Sequence, residues 1–175
     1  SLVSGVKVID IQSIIGNDIP IVRAMPNTAI AIRESMTCLC TTPQFKNKIA
    51  EVQELFELVG ETVVINEEQM TSATALCACG IAFFLRAIRA ASQGGNEIDF
   101  HASEALKMAA QTAKGAASLL IANQSHPEDE IDKVTSPKGC TIAGLNEMEH
   151  NGFSSSFIKG ITVSAKQAGG LYSEK

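Results

Sequence analysis

The chain has 175 residues, 45% of them hydrophobic but only 5% aromatic, with no Trp. That is enough apolar material for a packed core and argues against disorder. The net charge of −5, without a basic cluster, argues against a nucleic-acid partner, because phosphate binding needs concentrated Lys and Arg.

In chain order, the first third is mixed. "LVSGVKVI" and "IPIVRAM" have the Ile and Val density of short buried strands, and "DIQSIIGN" between them reads as a short helix closed by Gly16. "MTCLC" and "ETVVI" are two further strand candidates. Thr42-Pro43 is a helix start, with Thr as the cap and Pro at the first helical position. Phe45, Ile49, Val52, Phe56 and Val59 follow at helical spacing, and Gly60 is expected to end the run. The opening "SLVSGVKVID", which begins with Ser, reads as mid-fold sequence, so a piece of a longer protein is expected.

After Ile65 the pattern turns helical, which sets a domain boundary between residues 65 and 66 and leaves 66–175 as a helical domain. Asn66 and Gln69 have the spacing of a capping box. "MTSATALCACGIAFFLRAIRAAS" is apolar on nearly every face until Arg86, as a helix buried all round in an interface would be. "GGNEID" reads as a turn, with Asp99 capping the next helix, "FHASEALKMAAQTAKGAASLLIAN". The inner stripe of that helix, Ala102, Ala105, Leu106, Ala109, Ala113, Ala116 and Leu120, is small enough for a close helix partner. "HPEDEIDKV" starts on His126-Pro127 and carries acids in its first turn, where the helix dipole favours them. "TIAGLNEME" and "SSSFIKGITVSAKQAGGLY" complete the chain as helices joined by "HNGF". The longest wholly apolar run, around Ala75 to Leu85, falls short of the roughly 20 residues of a membrane span. No secretory pattern opens the chain; neither a membrane nor a leader is expected.

The cysteines fall at 38, 40, 77, 79 and 140. Both close pairs are C-x-C, whereas zinc sites usually space paired thiolates further apart. His101, His126 and His150 add no ligand spacing, so no metal is expected. The cysteines read as small buried hydrophobes in a reducing compartment, which points to a cytoplasmic protein. Neither a G-x-G-x-x-G nor a G-x-x-x-x-G-K-[ST] sequence occurs; these residues carry no phosphate cradle of those kinds.

"VTSPKGCTIAGL", residues 134–145, has two readings. In one, Pro137 fixes the entry, Gly139 turns the backbone, and Thr141 stands near a helix N-terminus whose free N–H groups and dipole favour a small carboxylate. In the other it is a pair of ordinary helix caps. Asn27 and Thr28 in "RAMPNTA" are polar groups just past a strand, where open α/β sheets bind ligands, or simply a strand exit. Glu67 and Glu68 lie in a first helical turn, where acids complement the dipole.

Together "VRAMPNTA", "FELVGETVVINEEQMTSATAL", "AAQTAKGAASLL" and "HPEDEIDKVTSPKGCTIAGLNEMEHNGF" resemble pyrroline-5-carboxylate reductase in the same order and spacing. The resemblance implies a mainly α fold. Residues 1–65 would be the end of a Rossmann-like cofactor domain. Residues 66–175 would be a helical dimerisation domain like that of 6-phosphogluconate dehydrogenase. It implies a homodimer or higher oligomer that reduces 1-pyrroline-5-carboxylate to L-proline with NADP or NAD, the last step of proline synthesis. By the same resemblance, backbone N–H groups from Ser136 through Gly139 and Cys140 to Thr141 would hold the substrate carboxylate. Thr141 would bond the ring nitrogen, Glu67 would lie at the substrate site, and Asn27 would lie near the nicotinamide. No side chain is implied as a catalytic nucleophile, and this chain alone would be inactive.

The sequence departs from the family pattern at several places. Family members read Ser-Gly-Ser-Gly-Pro-Ala-Tyr where residues 77–83 read "CACGIAF"; Lys138 replaces a glycine, Cys140 stands where Thr is common, and Ala29 replaces a proline. Two other functions therefore stay open: a diverged relative that acts on another imine or on nothing, and a helical interaction module.

Overall fold

The computed structural model describes residues 1–170. They form two compact units, one made of Ser1–Ile81 with the helix end from Lys159 onward, the other of Ala82–Ile158.

The first unit is built on three strands, β1 (Val22–Met25), β2 (Ser35–Thr41) and β3 (Gly60–Val64), in the spatial order β1-β2-β3. β1 lies antiparallel to β2, with Val22 opposite Thr41, and β2 lies parallel to β3, with Ser35 opposite Gly60. β2 is central, and it buries Thr37, Cys38, Leu39 and Cys40 almost completely. A strand covered on both faces needs such an unbroken run of small or apolar side chains. Gly60 has φ 148°, and a Cβ there would overlap the Ser35 backbone, so the glycine fixes where β3 joins β2.

The expected strand "LVSGVKVI" does not form. Gly5 makes a turn at φ 79°, and the chain is already helical in α1 (Val8–Ile15). Acids explain the early start: the Asp10 carboxylate accepts from Lys7 N at 3.0 Å and the Glu67 carboxylate from Val8 N at 2.7 Å. From this opening segment Ser1 pairs with β1; its ammonium donates to the Val22 carbonyl at 2.7 Å, and its own carbonyl accepts from Ala24 N at 2.9 Å.

After β2, Pro43–Lys48 is a 3₁₀ turn that leads into α2 (Ile49–Glu57), and the expected stripe from Phe45 to Val59 is half-buried. The Thr42 side chain does not cap this run; its hydroxyl is buried without a partner. Helix α2 stops at Glu57, three residues before the expected Gly60, which instead opens β3.

One long helical run then covers Glu67–Glu97. It opens with a 3₁₀ turn, Glu67–Gln69, in which Asn66 N donates to Gln69 Oε1 at 3.0 Å as the capping-box spacing predicts. It continues as α3 (Met70–Ala73), a π-helical turn (Thr74–Cys79) and α4 (Gly80–Glu97). By length and composition this run is apolar enough to cross a membrane, which corrects the reading from its longest apolar stretch. Only 11% of the residues in its most apolar 18-residue stretch are buried within the single chain.

In the second unit, α4 is followed by α5 (Ala102–Asn123), α6 (Pro127–Lys133), α7 (Cys140–His150) and α8 (Phe153–Gly170), whose last residues belong to the first unit. The expected turn at "GGNEID" is shifted: Gly94 and Gly95 stay helical, and the chain reverses at Ile98–Phe100, with Asp99 at φ 76°. Asp99 therefore caps nothing; His101 is the residue before α5. A Cβ on Gly95 would come within 2.9 Å of the Ala105 Cβ, so the glycine lets α4 and α5 touch. Of the expected α5 stripe, Ala105 is buried and Ala109, Ala113 and Leu120 are half-buried, while Ala102, Leu106 and Ala116 are exposed. The expected last helix runs on to Leu171 and Tyr172, which lie outside the described residues.

Candidate functional site

Each unit carries part of the residue set singled out from the sequence. In the first, Glu67 begins the long helical run. Its Oε1 accepts from Val8 N at 2.7 Å and from the Arg23 guanidinium at 2.8 Å. Arg23 lies on β1 and its side chain is only 6% exposed; that of Glu67 is 28% exposed. A buried guanidinium requires a paired charge, and Glu67 supplies it. Arg23, Glu67, Lys7, Glu68, Thr71 and Thr74 line a cavity of about 390 Å³. Sequence reasoning missed Arg23. The available signal was a charged residue inside an otherwise apolar strand, which cannot be buried alone.

Asn27 stands just beyond β1. Its Oδ1 accepts from Ala29 N at 3.0 Å, its Nδ2 donates to the Cys77 carbonyl at 3.3 Å, and its backbone N–H donates to Ser35 Oγ at 3.1 Å. Its amide thus joins the strand exit to the π-helical turn. Because β1 runs against β2 and β3, its carboxyl end meets the edge where those two strands begin. The ligand rule for the carboxyl ends of parallel strands therefore finds no support in these three. Thr28 next to Asn27 is exposed and opens a 3₁₀ turn, Thr28–Ile32.

In the second unit, α6 is capped at both of its early positions. His126 Nδ1 accepts from Glu128 N at 3.2 Å, and His126 N donates to Asp129 Oδ2 at 3.3 Å. The carboxylate of Glu130 draws in Ser125 Oγ at 2.6 Å, Lys133 Nζ at 2.7 Å and Asn123 Nδ2 at 3.2 Å. The Lys133 bond leads those that pull this carboxyl down to about 2. Thr135 Oγ1 donates to the Ile131 carbonyl at 2.8 Å and fixes the exit from α6.

The loop then turns tightly, with Gly139 N donating to Ser136 O at 2.9 Å. The left-handed residue is Lys138, at φ 59°, and not Gly139, which is extended at φ −73°. Gly139 is required for a different reason: a Cβ would meet Ser136 Oγ at 2.6 Å and Ser136 O at 2.9 Å. It precedes α7, whose first turn no side chain caps, and Thr141 is the second helical residue, half-buried. The expected helix N-terminus at Thr141 is therefore present. Two groups of the expected amide cradle drop out, however: Pro137 has no N–H, and that of Gly139 is already bonded inside the turn.

The cysteines divide. Cys38 and Cys40 are buried, Cys77 and Cys79 half-buried, and Cys140 exposed, so the buried-hydrophobe reading fails at Cys140, where the N-terminus of α7 faces outward. All five are free thiols, and no metal-binding group of His, Cys, Asp and Glu occurs among the described residues. Cys38 donates its S–H to Cys77 Sγ at 3.8 Å.

A three-stranded α/β segment that runs into a long apolar helix and a helical unit with much exposed apolar surface defines a class of chain that associates through its helices. Residues 67–171 match the family described as pyrroline-5-carboxylate reductase dimerisation, and the chain belongs to that family. It is 57% identical to pyrroline-5-carboxylate reductase 1 of Dictyostelium discoideum, over all of this chain and 34% of that protein. It is 50% identical to pyrroline-5-carboxylate reductase 2 of the same organism, over 96% of this chain and 61% of that one. The chain thus spans roughly a third to three fifths of the length of these relatives. Its fold matches the crystal structure of Plasmodium falciparum pyrroline carboxylate reductase with NADP bound, with a TM-score of 0.88 at 23% identity, over 97% of this chain and 69% of that one.

Proposed function

We propose that the protein of which this chain is part reduces 1-pyrroline-5-carboxylate to L-proline with a reduced nicotinamide cofactor, in the cytoplasm, as a homodimer. Residues 1–65 then close the cofactor domain and 66–175 form the dimerisation and substrate domain, a division that the family match from residue 67 supports. The observation that carries the reading is the tight 136–139 turn delivering an uncapped helix N-terminus at Cys140 and Thr141, in a chain 57% identical to a named reductase.

The chemistry asks little of the protein beyond placement. When bound, the cofactor supplies a hydride to the imine carbon. The chain's task is to hold the ring carboxylate and keep the nitrogen protonated, which makes that carbon electrophilic. The Cys140 and Thr141 amides with the helix dipole suit the carboxylate, and the Ser136 amide adds a third donor. The Thr141 hydroxyl is the candidate partner of the ring nitrogen. Glu67, already paired with Arg23, contributes a fixed carboxylate rather than a mobile base. What these residues offer the cofactor is limited. Both polar atoms of the Asn27 amide are engaged and no glycine fingerprint is present, so Asn27 fits a nicotinamide as a fixed edge. The phosphate cradle must come from other residues, and the chain alone is inactive.

The apolar surface of the 67–97 helix is covered by the second protomer rather than by lipid. Exposed Arg86 and Arg89 within α4 favour this reading. The test is the full-length protein assayed for NADPH- and NADH-dependent turnover of 1-pyrroline-5-carboxylate. Thr141→Ala is expected to lower kcat/KM by about 1–3 kcal/mol, as for a polar group left unpaired. An active parent with an unaffected Thr141→Ala removes this residue from the site. An inactive parent favours the diverged relative.

A further inference from the structure

The two C-x-C pairs play no part in the proposed reduction, and the fold brings one member of each together. Cys38, from the middle of β2, and Cys77, from the π-helical turn, are separated by 39 positions in sequence, yet their sulfurs lie 3.8 Å apart. Cys38 is sealed in the core with Met25, Cys40, Met70 and Ala73, and Cys77 packs against the outer side of that cluster, half-buried. Within the single chain Cys38 is buried and Cys77 half-buried, so Cys77 is the more accessible of the two, provided that the second protomer leaves the π-helical turn open.

We propose that Cys38 and Cys77 are a reversible thiol–disulfide pair, in which a hydroperoxide oxidises Cys77 and Cys38 resolves it into an internal disulfide that ties β2 to the π-helical turn. In the first step the Cys77 thiolate attacks one peroxide oxygen and the O–O bond breaks. Cys77 becomes a sulfenic acid, and the other oxygen leaves as hydroxide or alkoxide, which takes up a proton from solvent, equivalent to the one that the Cys77 thiol released, to give water or an alcohol. In the second step Cys38 sulfur attacks the sulfenic sulfur. The S–S bond forms, the S–O bond breaks, and the hydroxyl leaves as water with the Cys38 proton. The two thiols lose two electrons and the hydroperoxide gains them.

The surroundings suit each role. The S–H of Cys38 points at Cys77 and favours the thiolate there, which lowers Cys77 to about 7. The same bond and burial raise Cys38, so it stays protonated until the sulfenic acid forms. Cys40 is a contrast: burial pushes it up to about 11. Closing the gap from 3.8 Å to an S–S bond of about 2.05 Å requires local movement. A π-helical turn has a wider register than the α-helix around it and is the element suited to supply this movement. The Cys77 carbonyl also accepts from Asn27 Nδ2, so oxidation would act on the peptide that anchors Asn27.

The experiment uses the full-length protein, reduced and then exposed to hydrogen peroxide without denaturant. Remaining thiols are alkylated after unfolding and the protein is digested for mass spectrometry. The expected product is a peptide pair joined Cys38–Cys77, abolished by dithiothreitol. Cys38→Ser should convert that product into a Cys77 sulfenic acid captured by dimedone, and Cys77→Ser should leave Cys38 reduced. Recovery of both thiols alkylated overturns the proposal, as does a Cys77–Cys79 bridge or irreversible oxidation of Cys77 in the parent. Should Cys38→Ser fail to fold, the parent and Cys77→Ser decide it alone.

Discussion

In residues 1–81 the apolar side chains find one another: Val8, Ile21, Ala24, Met25, Cys38, Leu39, Met70 and Ala75 are each no more than 9% exposed. In residues 82–158, among the described residues, only Ala105 is a buried hydrophobe, while Phe84, Leu85, Ile98, Met108, Leu119 and Phe153 stand 41–66% open. The aromatic contacts of that second region do not close it. Phe157 meets Phe83, Phe84 and Phe153 at ring distances of 5.4–6.3 Å, and an apolar trough of about 1000 Å³ remains between α4, α5 and their neighbours. The first region obtains its core from a central strand covered on both faces. The second displays helices whose apolar faces stay exposed among the described residues, and so much contiguous apolar surface marks a site of association.

The strongest test of this contrast is a charge in the open region. Leu85→Asp should cost little inside the single chain, where Leu85 is 59% exposed. In a symmetric dimer the loss is counted twice. At ~1.5–3 kcal/mol for each buried leucine, that is roughly 3–6 kcal/mol of association. Light scattering across a dilution series should show a folded monomer at concentrations where the parent is dimeric. An unaffected dimer ends the interface reading at this residue.

The matching test in the closed region is Arg23→Ala. It leaves Glu67 partly buried without its cation and removes the pair that joins β1 to the start of the long helix. Breaking a buried pair costs about 3–5 kcal/mol; with Glu67 28% exposed, the lower end, roughly 3 kcal/mol, is expected in denaturant unfolding. Glu67→Gln keeps an acceptor for Val8 N but leaves the more deeply buried Arg23 without a counter-charge, so it should cost a comparable amount. Equal losses would mean that the charge, rather than the acceptor for Val8 N, carries the pair, and no loss would mean that the charge contributes nothing.

The closed region was the more legible in sequence for its strands and the less legible for its site. The candidates "IPIVRAM", "MTCLC" and "ETVVI" correspond to β1, β2 and β3, because strand burial is written locally. Ile and Val density also mistook Val3, Val6 and Val8 for a strand, since the acids that start α1 include Glu67, 59 positions away from Val8. Long-range pairs of this kind, Arg23 with Glu67 and Cys38 with Cys77, leave no periodic trace. Asn66 and His126 were found at their helix starts because capping is local, and Thr141 does stand in the first turn of α7, although Thr42 and Asp99 make no cap. Gly94-Gly95 misled because glycine was taken as a turn signal, whereas Gly95 serves a contact with Ala105. The same holds at the loop: Lys138 takes the left-handed conformation, and Gly139 is there for its lack of a side chain beside Ser136.

The smallest effect expected is at that helix contact, and it asks whether the open region has any packing of its own. Gly95→Ala gains about 1 kcal/mol of helix propensity. It also forces a methyl within 2.9 Å of the Ala105 Cβ, an atom that cannot rotate away. Overpacking of this kind costs about 1–3 kcal/mol, so a net loss of about 1 kcal/mol is expected. Since the two terms oppose each other, the single variant decides little, and the informative quantity is the coupling with Ala105→Gly. If α4 and α5 touch as described, the double variant should be more stable than the sum of the singles by roughly 0.5–1 kcal/mol in denaturant unfolding of the dimer. Additive behaviour would mean that the helices part at this point. The second region would then depend on its partner even for the approach of its own two longest helices.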